Sequence, residues 1–519
     1  MNERPDQRVG DGSGTGHEIE IKFRTDPEGL KRVLNSPAFT LPAVVHDQIL
    51  RSNYFDTSLG DLRKQNIALR IRKRGRGGPI LGVKAKCSTS EGPFSRIEIE
   101  VRSRSLQPEL SLFDAETAAE LGRLIGERPL ELQFETKVRR RAVLVERGRS
   151  HIELTCDDGK IVSGDQTAPL AEVELELKSG DESDLCDFAI TLVDQFPLKL
   201  DFTSKAERGF CLSTGESLPT VRATAIEYGV DATLDDAVVA VVSNALAHFI
   251  GNWAALRTAD RADAVHQARV ALRRLRTAMK MFQHVLSCPE IDALRNEARR
   301  IASAFGSTRE CDAFLGSVTK GPLAHPDRPT GFEVLLAAVG DRRAAAFRDV
   351  RALLEEVETT RFVLEVRGLL ARRAWRNGLI GSQFVQLTSP AETFARDALD
   401  RLHARALKRG KNLAKLSNEA RHKLRISLKN LRYGAEFFGG FFGGRRKFRR
   451  YVAIVSTLQD LLGAHNDVVS ARRLLDDSPP EMGRTSGFIL GWYAHQMSFA
   501  DAKLIDAWKK FEEADVFWW

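Results

Sequence analysis

The sequence predicts an α+β multidomain protein: an N-terminal antiparallel barrel of about eight strands, then an all-α domain of two repeated helical bundles. Three observations carry this. Short segments with period-two alternation recur through the first part of the chain and then stop. Helical periodicity takes over from Thr233, and one helical motif returns 156 residues later. Charge divides at the same place: residues 1–225 hold 33 Lys+Arg against 36 Asp+Glu, and residues 226–519 hold 45 against 34. A chain of 519 residues is too long for one ordinary core. A basic second half points to an anionic partner: nucleic acid, a membrane surface or a polyanion such as polyphosphate.

Residues 1–16 are polar, with no apolar segment for a signal or a span, and read as a disordered lead-in. Cys87, Cys156, Cys186, Cys211, Cys288 and Cys311 show no CxxC or metal-finger spacing, which suits a reducing cytoplasm. In the first strand, Glu18-Ile19-Glu20-Ile21-Lys22-Phe23-Arg24, alternation puts the four charges on one face and Ile19, Ile21 and Phe23 on the other. Asp26–Leu34 reads as a short helix, then Ile49–Phe55 as a strand. Ala68–Arg72 places Arg70 and Arg72 on one face, Leu81–Lys86 places Lys84 and Lys86, and Arg96–Val101 places Arg96, Glu98 and Glu100. Gly75–Pro79 and Gly92-Pro93 read as turns, and residues 107–127 as helical. Phe134–Val145 carries Lys137, Arg139 and Arg141 in one phase; His151–Asp157 follows, with a turn expected at Asp158-Gly159. Ala171–Leu177 is the most acidic strand, a helix is expected near Asp181–Gln195, and Ser204–Gly209 closes the domain.

Charge is thus sorted by strand. The residues alone leave two readings open: a sheet with one solvated face, or a closed sheet with its charges turned into a polar tunnel. In a dry core so many charges would be costly. In a wet tunnel a basic cluster would hold phosphoryl oxygens and an acidic cluster a hard divalent cation.

The ordered set, Glu18-x-Glu20-x-Lys22 with the later Arg-x-Arg, Lys, Glu-x-Glu and Ser-Lys segments, resembles the CYTH family, which includes triphosphate tunnel metalloenzymes. The likeness spans about residues 17–212 and implies an eight-stranded antiparallel β tunnel. It implies Lys22, Arg70, Arg72, Lys84, Arg139 and Lys205 as phosphate-binding bases, with Arg140 and Arg141 competing for the place of Arg139. It implies Glu18, Glu20, Glu98, Glu100, Asp157, Glu172 and Glu174 as metal-holding and water-orienting acids, with Asp158 competing with Asp157. Lys84, Glu172 and Glu174 would be catalytic, and Mg²⁺ or Mn²⁺ would assist hydrolysis of a triphosphate chain. Gly75-Arg76-Gly77-Gly78 lacks the Lys-Ser/Thr of a phosphate-binding loop.

Residues 213–227 read as a linker, 228–508 as the helical domain and 509–519 as a C-terminal tail. Thr233 with Asp235-Asp236 is a helix start. His266-x-x-Arg269-x-x-x-Arg273-x-x-Arg276 recurs as His422-x-x-Arg425-x-x-x-Lys429-x-x-Arg432. On a helix each quartet falls within roughly an 80° arc, beside an apolar stripe (Leu272, Leu275, Met279, Phe282 and Leu428, Leu431, Ala435, Phe438). Gly306-Ser307-Thr308-Arg309-Glu310 also returns in outline as Gly463-Ala464-His465-Asn466-Asp467. A solvated helix flank is the plain reading of one such stripe, but a flank ordinarily mixes Glu with Lys. The doubled motif resembles the CHAD family, over about residues 226–508. That implies polyphosphate binding by the eight residues of the two quartets. Together the resemblances imply a cytoplasmic inorganic triphosphatase that also binds polyphosphate, at polyphosphate granules among other places. The alternatives are a non-catalytic polyphosphate-binding protein, a thiamine or nucleoside triphosphatase, and an adenylate cyclase of the same tunnel fold.

Overall fold

A computed structural model describes residues 15–36, 46–75, 77–86, 95–286, 288–476 and 482–519. Most of the expected lead-in, Cys87, Arg76 and the Gly92-Pro93 turn lie outside the described residues. The chain forms two compact units: residues up to Pro219 together with Glu355–Arg372, and Thr220–Leu354 together with Arg373–Trp519.

The first unit is built on strands β1 (Thr15–Arg24), β2 (His46–Asp56), β3 (Ile67–Arg74), β4 (Pro79–Lys86), β5 (Ser95–Arg102), β6 (Glu131–Arg147), β7 (Ser150–Ser163), β8 (Gln166–Ser179) and the two-residue β9 (Lys199–Leu200). Their order is β5-β4-β3-β2-β6-β7-β8-β1-β9, every pair antiparallel, and β1 also pairs with β5. β1 divides its edge: Thr15–Ile19 lies against β5, and Glu20–Arg24 against β8. The eight long strands therefore run in a cycle, with β9 added beside β1.

The sheet is inside out relative to a sandwich. Its apolar phase faces outward and is buried under helices: Leu69, Ile71, Leu81 and Val83 pack with Phe113, Leu121 and Ile125 of the segment that includes helix Ala115–Ile125. The charged phase faces inward. At one end the interior turns apolar: Phe134, Val138, Ile161 and Leu170 meet Ala206 and Phe210 of helix Lys205–Thr214. Ser204 caps this helix through a capping box with Glu207. Gly209 permits the seat, since a Cβ there would lie 2.1 Å from the Phe134 ring.

Two local expectations fail. Asp158-Gly159 is no turn: β7 continues to Ser163. A Cβ on Gly159 would stand 2.0 Å from the Lys137 carbonyl oxygen, so this glycine serves a close strand approach rather than a reversal. And Glu355–Arg372, expected within the helical domain, packs with the barrel unit.

The second unit is helical, and its duplication is extensive. Helices Leu234–Gly251, Ala262–Phe282, Pro289–Ala304 and Phe332–Leu354 are matched near the same displacement by Ala391–Gly410, Asn418–Phe438, the first half of Arg445–Asp476, and Gly483–Glu512. Thr233 caps its helix in a capping box with Asp236, as expected. The apolar stretch Leu234–Thr258 is long enough to cross a membrane, but 78% of its most apolar window is buried in the fold. The expected linker is packed from Thr220 onward: Asn252 bonds both N–H and C=O of Val221, and Asn244 donates to the Thr224 carbonyl. The expected tail is packed as well, because Trp518 is fully buried and its Nε1 donates to Asp400 Oδ1 at 2.8 Å. Cys156, Cys186, Cys211, Cys288 and Cys311 are free.

Candidate functional site

The barrel encloses a cavity of about 490 Å³ lined by the inward phases of its strands. Its charges pair across it. Lys205 Nζ lies 2.8 Å from Asp157 Oδ2 and 3.0 Å from Glu174 Oε1, and also contacts Glu172. Lys22 Nζ lies 2.9 Å from Glu174 Oε1 and 3.4 Å from Glu20 Oε1. Lys84 Nζ lies 2.5 Å from Glu18 and 3.5 Å from Glu98. Arg70 donates to Glu98 and, at 3.1 Å, to Glu100. Arg72 differs: its guanidinium is buried with no carboxylate partner among the described residues, and its Nε donates only to Ser52 Oγ at 3.3 Å.

These placements set the proton affinities. Burial, with repulsion from Arg70 and Arg140, brings Arg72 down to about 10. Burial pushes Glu18 up to about 7 against the pull of Lys84. Burial also raises Glu172, outweighing Lys205 and Arg208. It would raise Glu174 and Asp157 too, but there the cations win: Lys205 and Lys22 hold Glu174 low, and Lys205 and Arg140 hold Asp157 low. Asp157, Glu172 and Glu174 present carboxylate oxygens within 4.8 Å of one another, all buried. Glu18, Glu20, Glu98 and Glu100, also expected among the metal-side acids, line the same cavity around Lys84 and Arg70.

One expected base is misplaced. Arg139 points outward, 60% exposed, and pairs with Asp47. The inward phase of β6 carries Phe134, Val138 and Ala142, so the interior base is Arg140. It donates to Asp157 at 2.8 and 2.6 Å and to Glu174 at 2.7 Å. Asp157 is the inward acid, as its strand phase favours. Sequence reasoning also missed Arg208, one helical turn after Lys205, which pairs with Glu172 at 2.9 Å; the i, i+3 spacing was its only signal.

In the helical unit the two quartets converge. Helices Ala262–Phe282 and Asn418–Phe438 touch through Thr277 and Asn430 and through Arg274 and Glu436. Burial, with Arg273, Arg425, Arg432 and Arg269 around it, pushes Lys429 down to about 7. His266 is exposed, yet partial desolvation and the nearby Arg309, Arg273, Arg269 and Arg432 bring it down to about 4. Among the described residues no carboxylate lies within ion-pair distance of Arg269, Arg273, Arg276 or Lys429, whereas Arg432 lies 3.4 Å from Glu436. His422 is exposed on the same helix as Arg425, whose Nε donates to the Gln459 carbonyl at 3.4 Å. Each copy sets a glycine against its first arginine: a Cβ on Gly306 would lie 3.4 Å from Arg269, and one on Gly463 3.1 Å from Arg425. The side chains of His465, Asn466 and Asp467 lie outside the described ones.

Two family models match where the two units lie, one described as CYTH domain over residues 16–210 and one as CHAD domain over residues 240–476. The chain carries a CYTH domain followed by a CHAD domain. An inorganic triphosphatase of Haemophilus influenzae is 33% identical over 211 residues, 39% of this chain, and the chain spans 56% of that relative's length. The crystal structure of the CHAD domain from the plant Ricinus communis matches with 29% identity and a TM-score of 0.50, covering 58% of this chain and 98% of that one.

Proposed function

We propose that the CYTH domain is a metal-dependent inorganic triphosphatase that hydrolyses tripolyphosphate to pyrophosphate and phosphate, and that the CHAD domain binds polyphosphate. The observation that carries the first part is the charge of the cavity: Lys22, Arg70, Arg72, Lys84, Arg140 and Lys205 line one space, and Arg140 and Lys205 tie it to the buried Asp157–Glu172–Glu174 trio in its wall. The likeness to an inorganic triphosphatase supports the same reading.

A linear triphosphate would take over the cations now held by carboxylates, with Arg72 as the first anchor because it has no ion-pair partner to exchange. The three buried oxygen donors of the trio fit a hard divalent ion, Mg²⁺ or Mn²⁺. Such an ion would supply charge neutralisation and Lewis acidity at a phosphoryl oxygen. Lys22, Lys84 and Lys205 would spread the charge of the leaving pyrophosphate. Glu172, whose burial raises its proton affinity, would orient the attacking water and accept its proton.

For the CHAD domain, the supporting observation is the set of cations left without carboxylate partners where the two quartets meet. Aligned cations at a surface can follow a flexible polyanion, and the binding would weaken steeply with salt. We place the protein in the cytoplasm, including at polyphosphate granules. Phosphate release measured with Mg²⁺ or Mn²⁺ across tripolyphosphate, long-chain polyphosphate, thiamine triphosphate and ATP tests the substrate assignment; preference for either organic triphosphate refutes it. Retention on a polyphosphate matrix should vanish in Arg269→Glu/Arg425→Glu, and retention that survives would reduce the quartets to helix flanks.

A further inference from the structure

Residues Glu355–Arg372 lie inside the stretch matched as CHAD, yet they pack with the barrel. Helix Val357–Arg372 buries Phe362, Val363, Leu364 and Val366, and it lies on helix Glu182–Gln195, which covers β1, β7 and β8. Charge pairs fix its seat. Arg367 grips both oxygens of Glu182, one at 2.7 Å, with both side chains largely buried. Arg372 lies 2.9 Å from Asp187, and Arg361 contacts Asp194.

The segment's first residue reaches the strands themselves. Glu355 pairs with Arg24 of β1, and its Oε2 lies 3.0 Å from Lys199 Nζ of β9. Arg24 and Lys199 are register partners, so two cations stand directly opposite each other, an unfavourable pairing that one carboxylate relieves. From this junction hang two lysines of the cavity. Lys22 precedes Arg24 by two residues, and its carbonyl accepts from the Asp201 N–H at 2.9 Å. Asp201 bonds the Thr203 N–H at 2.8 Å and pairs with Arg208, after which Ser204 opens the helix carrying Lys205.

We infer that Glu355–Arg372 is an integral part of the CYTH domain and that Glu355 is a positioning residue for Lys22 and Lys205. It acts by neutralising the Arg24–Lys199 pair at the β1–β9 junction. The consequence for turnover rests on the triphosphatase reading; the consequence for the backbone does not.

The test uses the full chain. In Glu355→Gln, hydrogen exchange at the Asp201 amide, which donates to the Lys22 carbonyl across this junction, should accelerate by about tenfold or more, the scale set by losing local protection. Adding Lys199→Met removes the facing charge and should restore slow exchange. With tripolyphosphate, Glu355→Gln should raise KM by roughly three- to tenfold with kcat within about twofold, Glu355→Asp should recover most of that loss, and Glu365→Gln on the same helix should change neither. Unchanged exchange in Glu355→Gln overturns the inference even if the wild type proves inactive on tripolyphosphate, a result that by itself would count only against the triphosphatase reading. Faster exchange with unchanged KM in an active enzyme overturns the positioning role.

Discussion

Arg140→Met and Arg139→Met, neighbours in sequence on opposite faces of β6, separate the tunnel interior from its exterior. Arg140 spans the fully buried Asp157 and the largely buried Glu174. Its loss leaves Lys205 to neutralise Asp157, and Lys205 with Lys22 to neutralise Glu174. Breaking a buried ion pair costs about 3–5 kcal/mol, and the remaining lysines favour the lower end. At about 2–4 °C per kcal/mol for a domain of this size, the melting temperature of the barrel should fall by roughly 6–12 °C. If Arg140 also holds a phosphoryl oxygen, one lost charge-assisted hydrogen bond is worth about 1.5–3 kcal/mol. That corresponds to a roughly 10- to 150-fold rise in KM for tripolyphosphate. Arg139→Met, on an exposed pair, should leave melting and kinetics unchanged. Thermal melts and steady-state phosphate release on both variants decide the matter. A damaged Arg139 variant beside a healthy Arg140 variant would refute the assigned phase of β6 and the interior derived from it.

Lys429 gives a pH signature. Burial and four arginines bring it from 10.5 to about 7, so the empty protein holds it largely neutral above that value and charged below it. Polyphosphate favours the charged form. Affinity should therefore fall as pH rises from about 6 to about 8.5, by up to tenfold per unit, with proton uptake on binding visible by calorimetry in buffers of different ionisation heat. Between 7 and 10.5 the folded state binds fewer protons at this site than the unfolded one, so the empty helical unit should gain stability as pH rises through that window. In Gly209→Ala the new Cβ meets Phe134, which stacks on Tyr54 at 4.5 Å and abuts Phe210, so the ring has little room to yield. A loss of about 1–3 kcal/mol in denaturant melts, together with weaker tripolyphosphate turnover as the Lys205 helix is displaced, is expected. Trp518→Ala should cost about 3–5 kcal/mol in unfolding of the helical unit, because the indole is fully buried on Asp400 and Tyr451.

Much of this site is written in the strand phase. Glu18, Glu20 and Lys22 face inward because Ile21 and Phe23 occupy the covered face, and the same logic places Arg70, Arg72, Glu172 and Glu174. The doubled quartet and the Thr233 cap were equally legible, since each rests on local helical geometry. β6 misleads because Lys137, Arg139, Arg140 and Arg141 put charge in both phases, and only the apolar partners Phe134, Val138 and Ala142 mark the inner one. Asp158-Gly159 carries a strong turn signal that the close approach of β6 overrides. Helical periodicity shows that residues 357–372 form a helix but not which core it joins; that is fixed by Glu182, Asp187 and Asp194 on a distant helix. The burial of Phe517 and Trp518 has no local signal, because burial at a chain terminus depends on a cavity built by residues more than a hundred positions earlier, Arg396 and Asp400 among them.

The central claim is that the inward carboxylate trio makes the CYTH cavity a hydrolytic site for an inorganic triphosphate. Its most direct test is phosphate release from tripolyphosphate, with Mg²⁺ or Mn²⁺ present and after chelation, by the wild type and by Glu172→Gln/Glu174→Gln. The account predicts turnover by the wild type only with metal, and a loss of at least about a hundredfold in the variant while its circular dichroism stays native. Release that persists undiminished in the variant would contradict it.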